Sequence, residues 1–151
     1  MTVANGQKSA DSGSQVIIVD DDQLVRDFAM HTMKYGANRE IVVFDNGFQA
    51  WHYILSRPDN ADIIIADANI PEMDGLELLA QSKQKRPEKK FIITTSNPSH
   101  EEQACLLGAD AFLFKPFDVA DLFTILQQLI IENGNPTENK VTSFPKNTPA
   151  D

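Results

Sequence analysis

Residues 63–69 read Ile-Ile-Ile-Ala-Asp-Ala-Asn, and residues 16–22 read Val-Ile-Ile-Val-Asp-Asp-Asp. In both stretches four apolar residues run without a break and stop at aspartate. Continuous runs this short, rich in β-branched side chains, suit strands buried on both faces of a parallel sheet. Three further runs follow the same rule: residues 41–44 (IVVF), 91–95 (FIITT) and 111–114 (AFLF). A sheet assembled from them has no face left for solvent, so each strand needs a covering helix.

The intervening segments have helical spacing. Leu24, Phe28 and His31 or Thr32 lie about one turn apart, as do Leu76, Leu79 and Lys83, while Leu122, Ile125, Leu126 and Leu129 form an apolar stripe. Ser99 with Glu102, after Pro98, reads as a capping box, and Asp118 with Asp121 starts the last helix. Gly36, Gly108 and Gly134 stand where helices should stop. Five strand–helix pairs predict an α/β fold with helices on both faces and right-handed crossovers.

The length of 151 residues allows one globular domain. Residues 1–14 carry no large apolar side chain beyond Met1 and Val3, and are expected to form a disordered lead. Residues 133–151 hold three prolines and isolated Val141 and Phe144, and are expected to form a flexible tail. The folded domain is thus expected over 15–132. Each end is charge-neutral, so the net charge of −9 belongs to that domain. An acidic balance argues against a free-standing binder of nucleic acid or anionic membrane. Cys105 is the single cysteine, which excludes an internal disulfide framework and reads most simply as core. No apolar run approaches the roughly 18 residues that span a bilayer, and no signal-like apolar stretch opens the chain. A cytoplasmic protein is expected.

Asp20, Asp21 and Asp22 follow the first run, Asp67 the third, and Lys115-Pro116 the fifth. In an open parallel sheet these strand ends form the ligand-binding edge. Asp20, Asp21 and Asp67 brought together there would repel one another, and a hard divalent cation would relieve that cost. Oxygen-only ligands favour Mg²⁺ over Zn²⁺. Lys115 would add one fixed positive charge, completing a set suited to phosphoryl chemistry. A lone aspartate such as Asp22 is ordinarily just a helix cap; the combination at three strand ends is what carries weight.

At this point the chain resembles the receiver domains of two-component response regulators, over residues 15–132. VIIVDDDQLVR resembles the first strand and acidic pair, IIIADANIPEMDGLELL the phosphoacceptor strand and its loop, FIITTS the fourth strand, and GADAFLFKPF the fifth-strand signature. The resemblance implies a flavodoxin-like (βα)5 fold with strand order 2-1-3-4-5. It makes Asp67 the phosphoacceptor and Lys115 the family lysine, with a cis Lys115–Pro116 peptide. It implies Mg²⁺ held by Asp21, Asp67 and the Asn69 carbonyl, with Asp20 acting through water. Thr95, counted from Gly75, takes the switch hydroxyl, with Thr94 the alternative one place earlier. The Ser96 amide assists, and Phe112 is the aromatic switch residue, expected to turn inward on activation.

The resemblance further implies that a sensor histidine kinase or a histidine phosphotransfer protein donates the phosphoryl group. Output would come from protein binding at the face made by the fourth helix, fifth strand and fifth helix, as in stand-alone chemotaxis-type receivers. The protein would be a phosphoryl acceptor that assists its own reaction rather than a turnover enzyme. A Mg²⁺-dependent aspartyl-nucleophile phosphatase is the alternative, but it needs a second carboxylate where Asn69 stands; a receiver cut from a larger regulator is another. His31, His52 and His100 read as helix-surface or boundary residues. Lys83, Lys85, Arg86, Lys89 and Lys90 read as a solvated basic edge rather than a nucleic-acid patch.

Overall fold

A computed structural model describes residues 13–36, 39–134 and 144–149. Strands and helices alternate as β1 (Gln15–Val19), α1 (Gln23–Gly36), β2 (Glu40–Phe44), α2 (Gly47–Leu55), β3 (Ile63–Asp67), α3 (Gly75–Lys85), β4 (Lys90–Thr95), α4 (His100–Leu106), β5 (Ala111–Phe114) and α5 (Val119–Gly134). The strands pair in parallel in the order β2-β1-β3-β4-β5. Each strand exceeds its apolar run by at most one residue, because burial on both faces is what both the run and the strand record.

Alternate residues of each strand feed two cores. Ile17, Ile64, Ile93 and Phe112 pack with Ile54 of α2 and Leu78 of α3 on one face. Ile18, Ile65, Ile92 and Leu113 pack with Met33 of α1 and the α5 stripe on the other. All four stripe residues, Leu122, Ile125, Leu126 and Leu129, are buried as the periodicity requires. Register aligns the carboxyl ends of the strands: Asp67 lies opposite Thr94, and Thr95 opposite Phe114.

The helix signals fare unevenly. Asp118 and Asp121 cap reciprocally, each side chain accepting from the other's backbone amide. Gly108 follows α4 with φ +96°, a left-handed conformation that favours glycine. Ser99, by contrast, makes no cap: its hydroxyl and amide both donate to Asn97 Oδ1, so the turn before α4 is held by Asn97 instead. Cys105 is exposed, not core, because α4 is short and turns that side to solvent. Leu24 is 78% exposed, so it lies outside the stripe assigned to α1.

The basic run is a solvated edge only in part: Lys85 is exposed, but Lys89 is not. Lys89 is 1% exposed and donates to the carbonyls of Arg57 and Asn60 while pairing with Asp62 at 3.0 Å. Arg57 holds the same carboxylate through two bonds of 2.9 Å. Burial would push Asp62 up, but these two cations outweigh it and hold the carboxyl below its usual value of 3.8. Lys83 pairs with Asp110 at 2.6 Å. The basic cluster thus closes the end of the sheet opposite the aspartates.

The expected tail also needs correction where it is described. Residues 144–147 lie along the edge of β5 instead of leaving the domain. Of the expected lead, residues 1–12 fall outside the described residues; Ser14 is buried, and the Gly13 carbonyl accepts from Arg57.

Candidate functional site

The sheet's carboxyl edge brings Asp20, Asp21 and Asp67 together, each offering a carboxylate oxygen within 4.8 Å of the others. Asp20 follows β1 and is 2% exposed, while Asp67 ends β3 at 9%. Each of these two is fixed by the amide two residues on. Asp20 Oδ1 accepts from Asp22 N at 2.8 Å, and Asp67 Oδ1 from Asn69 N at 3.0 Å. The other oxygen of each then faces Lys115, whose Nζ donates to Asp20 Oδ2 and Asp67 Oδ2 at 2.8 Å. Lys115 is positioned by its own amide, which donates to the Thr95 carbonyl; its peptide to Pro116 is cis.

Electrostatics sharpen the arrangement. Burial pushes the Asp20 carboxyl above its usual 3.8; the bonds from Lys115 and the Asp22 amide oppose this, and repulsion from Asp67 adds to it. Burial pulls Lys115 down, yet its bonds to Asp20 and Asp67 win and hold the ammonium above 10.5. Three carboxylates against one ammonium leave the cluster with surplus negative charge on oxygen donors alone. That donor set fits a hard divalent cation such as Mg²⁺.

Gly75 permits the loop to close over Asp67. A Cβ there would lie 2.0 Å from the Asp67 carbonyl oxygen, while the Gly75 amide donates to the Ala68 carbonyl at 2.9 Å. Asp74 caps α3 through Glu77 N, so the segment from Asp67 to α3 is fixed at both ends.

The two threonines of β4 point to opposite faces. Thr95 shares the face of Phe91, Ile93 and Phe112; its Oγ1 lies 2.9 Å from His100 Nδ1 and accepts from Asn97 N at 3.1 Å. Thr94 Oγ1 faces the other way, buried and without a partner among the described residues. Phe112 is fully buried, 4.8 Å from Phe114 in an edge contact and stacked on Phe144 at 6.2 Å. The ring expected to turn inward is therefore already inside, covered by the chain's own C-terminal segment.

Three features escaped sequence reading. His100 touches Thr95, a contact that no spacing rule foretells because it depends on the loop between β4 and α4. Leu24, Val25, Phe28 and Phe117 line a cleft of about 350 Å³ with Ser96 and Lys115, an apolar wall beside the carboxylates. Phe144 packs on the core from a segment of otherwise polar composition.

Comparison with known proteins matches residues 16–127 to the response regulator receiver domain. The chain belongs to that family. This receiver is 32% identical over 117 residues to the DNA-binding transcriptional regulator NtrC of Escherichia coli K12, covering 76% of this chain and 24% of the relative. It thus spans about a quarter of that relative's length. A chemotaxis protein CheY homolog of Campylobacter jejuni is 29% identical over 110 residues, with 68% of this chain and 82% of the relative covered. Among solved structures, a CheY-like receiver from Methanospirillum hungatei superposes with TM-score 0.72 at 24% identity, covering 80% of this chain and 96% of that one. A LuxR-family DNA-binding response regulator from Staphylococcus aureus gives 0.70 at 28%, covering 77% and 98%. The fold and family expected from the sequence are those found. Among the described residues of the receiver, no helix is long and apolar enough to cross a membrane.

Proposed function

We propose that this receiver accepts a phosphoryl group on Asp67 from a phosphohistidine of a sensor histidine kinase or histidine phosphotransfer protein, with Mg²⁺, and signals by phosphorylation-dependent protein binding. The observation that carries this is the Lys115 ammonium bridging Asp20 and Asp67 beside a third carboxylate. Asp67 would form the new O–P bond as the P–N bond breaks, the electron pair returning to the donor imidazole. Lys115, already against the attacking carboxylate, would hold charge on the phosphoryl oxygens. The Thr95 hydroxyl and the Ser96 amide would donate to a remaining oxygen. Asp20, Asp21, Asp67 and the Asn69 carbonyl would hold Mg²⁺, which supplies charge neutralisation on those oxygens.

Transmission would run from Thr95 through His100, the first residue of α4, to the α4–β5–α5 face. The donor would dock beside the site, where exposed Leu24 and the adjoining apolar cleft offer a contact. The phosphatase alternative still lacks its acid, because Asn69 follows Asp67 by two places. Incubation with acetyl phosphate and Mg²⁺ should add one phosphoryl group by intact mass, and chelation with EDTA should abolish it. Absence of any mass gain in the presence of Mg²⁺ would overturn the reading.

A further inference from the structure

The segment from Phe144 to Asn147 meets β5 as a strand would. The Phe112 amide donates to the Pro145 carbonyl at 2.9 Å, and Phe112 and Lys146 form a parallel bridge. The Asn147 carboxamide then substitutes for the next peptide group. Its Oδ1 accepts from Phe114 N at 2.6 Å, and its Nδ2 donates to the Phe114 carbonyl at 3.0 Å. Side chains anchor the segment on three sides: Phe144 stacks on Phe112, Lys146 pairs with Glu101 of α4, and Asn147 Nδ2 lies 3.4 Å from Asp121 Oδ2 of α5.

An open edge strand between two helices is a ready acceptor for an extended peptide, with backbone bonds giving affinity and side-chain pockets giving choice. Here every outward amide of Phe112 and Phe114 is already engaged. We propose that the chain's own C-terminal segment is a built-in ligand of the β5 edge that competes with external partners for the α4–β5–α5 face. External partners of that edge would present the same chemistry: an extended strand with an aromatic residue, a basic residue two places on and a carboxamide after it. The competitive role rests on the signalling reading above; the docking itself does not. Only residues 135–143 connect α5 to the segment, and a short tether gives an effective concentration on the order of millimolar. A partner must outbid that occupant or meet the receiver with it displaced.

The test uses full-length chain. A labelled synthetic peptide of residues 141–151 is titrated by fluorescence polarisation into wild type and into the F144A/N147A double variant. The variant should bind the peptide at least about tenfold more tightly, because its own segment no longer competes. Amide exchange at Phe112 and Phe114 should accelerate at least about tenfold in the variant. Equal peptide affinity for both proteins, no binding to the variant, or unchanged exchange would each overturn the proposal. Self-association of wild type that the double variant lacks would place the segment on a second copy and overturn the assignment within one chain. Acetyl-phosphate labelling is measured in parallel: its loss in wild type would overturn the phosphoryl reading, whereas normal labelling with equal peptide binding would overturn this inference alone.

Discussion

Lys115 Nζ and Asp67 Oδ2 stand 2.8 Å apart, although Lys115 follows β5 and Asp67 ends β3, with β4 between them. The same ammonium reaches Asp20, so one side chain ties together three strand ends. Replacement Lys115→Ala should slow acetyl-phosphate labelling by about 100-fold or more, the usual effect of deleting one preorganised donor. Mg²⁺ affinity should rise in the same variant, since the cation that shares these oxygens is gone. Unchanged labelling with weaker Mg²⁺ binding would contradict the roles given to Lys115.

Mg²⁺ should stabilise the fold. At 100 times its dissociation constant it should add about 2.7 kcal/mol, on the order of 5–10 °C in melting temperature for a domain of this size. Asp21→Asn should remove most of that shift. Asp20 has a raised carboxyl, so the folded state favours its protonated form. Its unfavourable contribution is therefore absent at low pH and appears as pH rises through the raised value. Asp20→Asn should accordingly melt higher than wild type at neutral pH in EDTA. A lower melting temperature would show that burial, with the neighbouring Asp67 charge, does not penalise the Asp20 carboxylate.

The two threonines of β4 can be separated by substitution. Thr94 Oγ1 is buried without a partner, so Thr94→Val should be neutral or up to roughly 1 kcal/mol stabilising in urea unfolding. Thr95 Oγ1 is engaged by His100 and the Asn97 amide, so Thr95→Val should cost about 1 kcal/mol. The reverse ranking would contradict the hydrogen-bond partners given to the two hydroxyls.

At the opposite end of the sheet, Asp62→Ala would leave Lys89 buried with only Glu88, at 3.4 Å, as an ion partner, and would leave Arg57 without its carboxylate. A cost of about 3–5 kcal/mol is expected at neutral pH. The Asp62 carboxyl is depressed below 3.8 in the folded state. Its stabilisation is therefore present above that unfolded value and lost as pH falls through the lower folded one. The gap between wild type and variant should narrow in urea titrations taken from about pH 7 to about pH 3. A gap independent of pH would assign the cost to packing instead.

How much of this was legible beforehand follows from what each residue answers to. Runs such as 63–66 and the stripe from Leu122 to Leu129 answer to burial, which periodicity reports directly. Asp20, Asp67 and Lys115 were legible because each directly follows an apolar run, and strand ends of a parallel sheet share one edge. His100, Lys89 and Phe144 answer to tertiary partners that no local pattern encodes. A polar-looking lysine can be buried when three acceptors await it, and a lone aromatic can dock when an edge strand lies open. Cys105 shows the converse, since a seven-residue helix leaves much of its surface uncovered.

The bond formed at Asp67 can be read out directly. Acetyl phosphate and Mg²⁺ are applied to full-length chain, the acyl phosphate is reduced with borohydride, and the modified residue is located by peptide mass spectrometry. Reduction should convert Asp67, and no other aspartate, to homoserine, with no conversion in Asp67→Asn. Homoserine at Asp20 or Asp21, or equal conversion in the Asp67→Asn variant, would contradict the account.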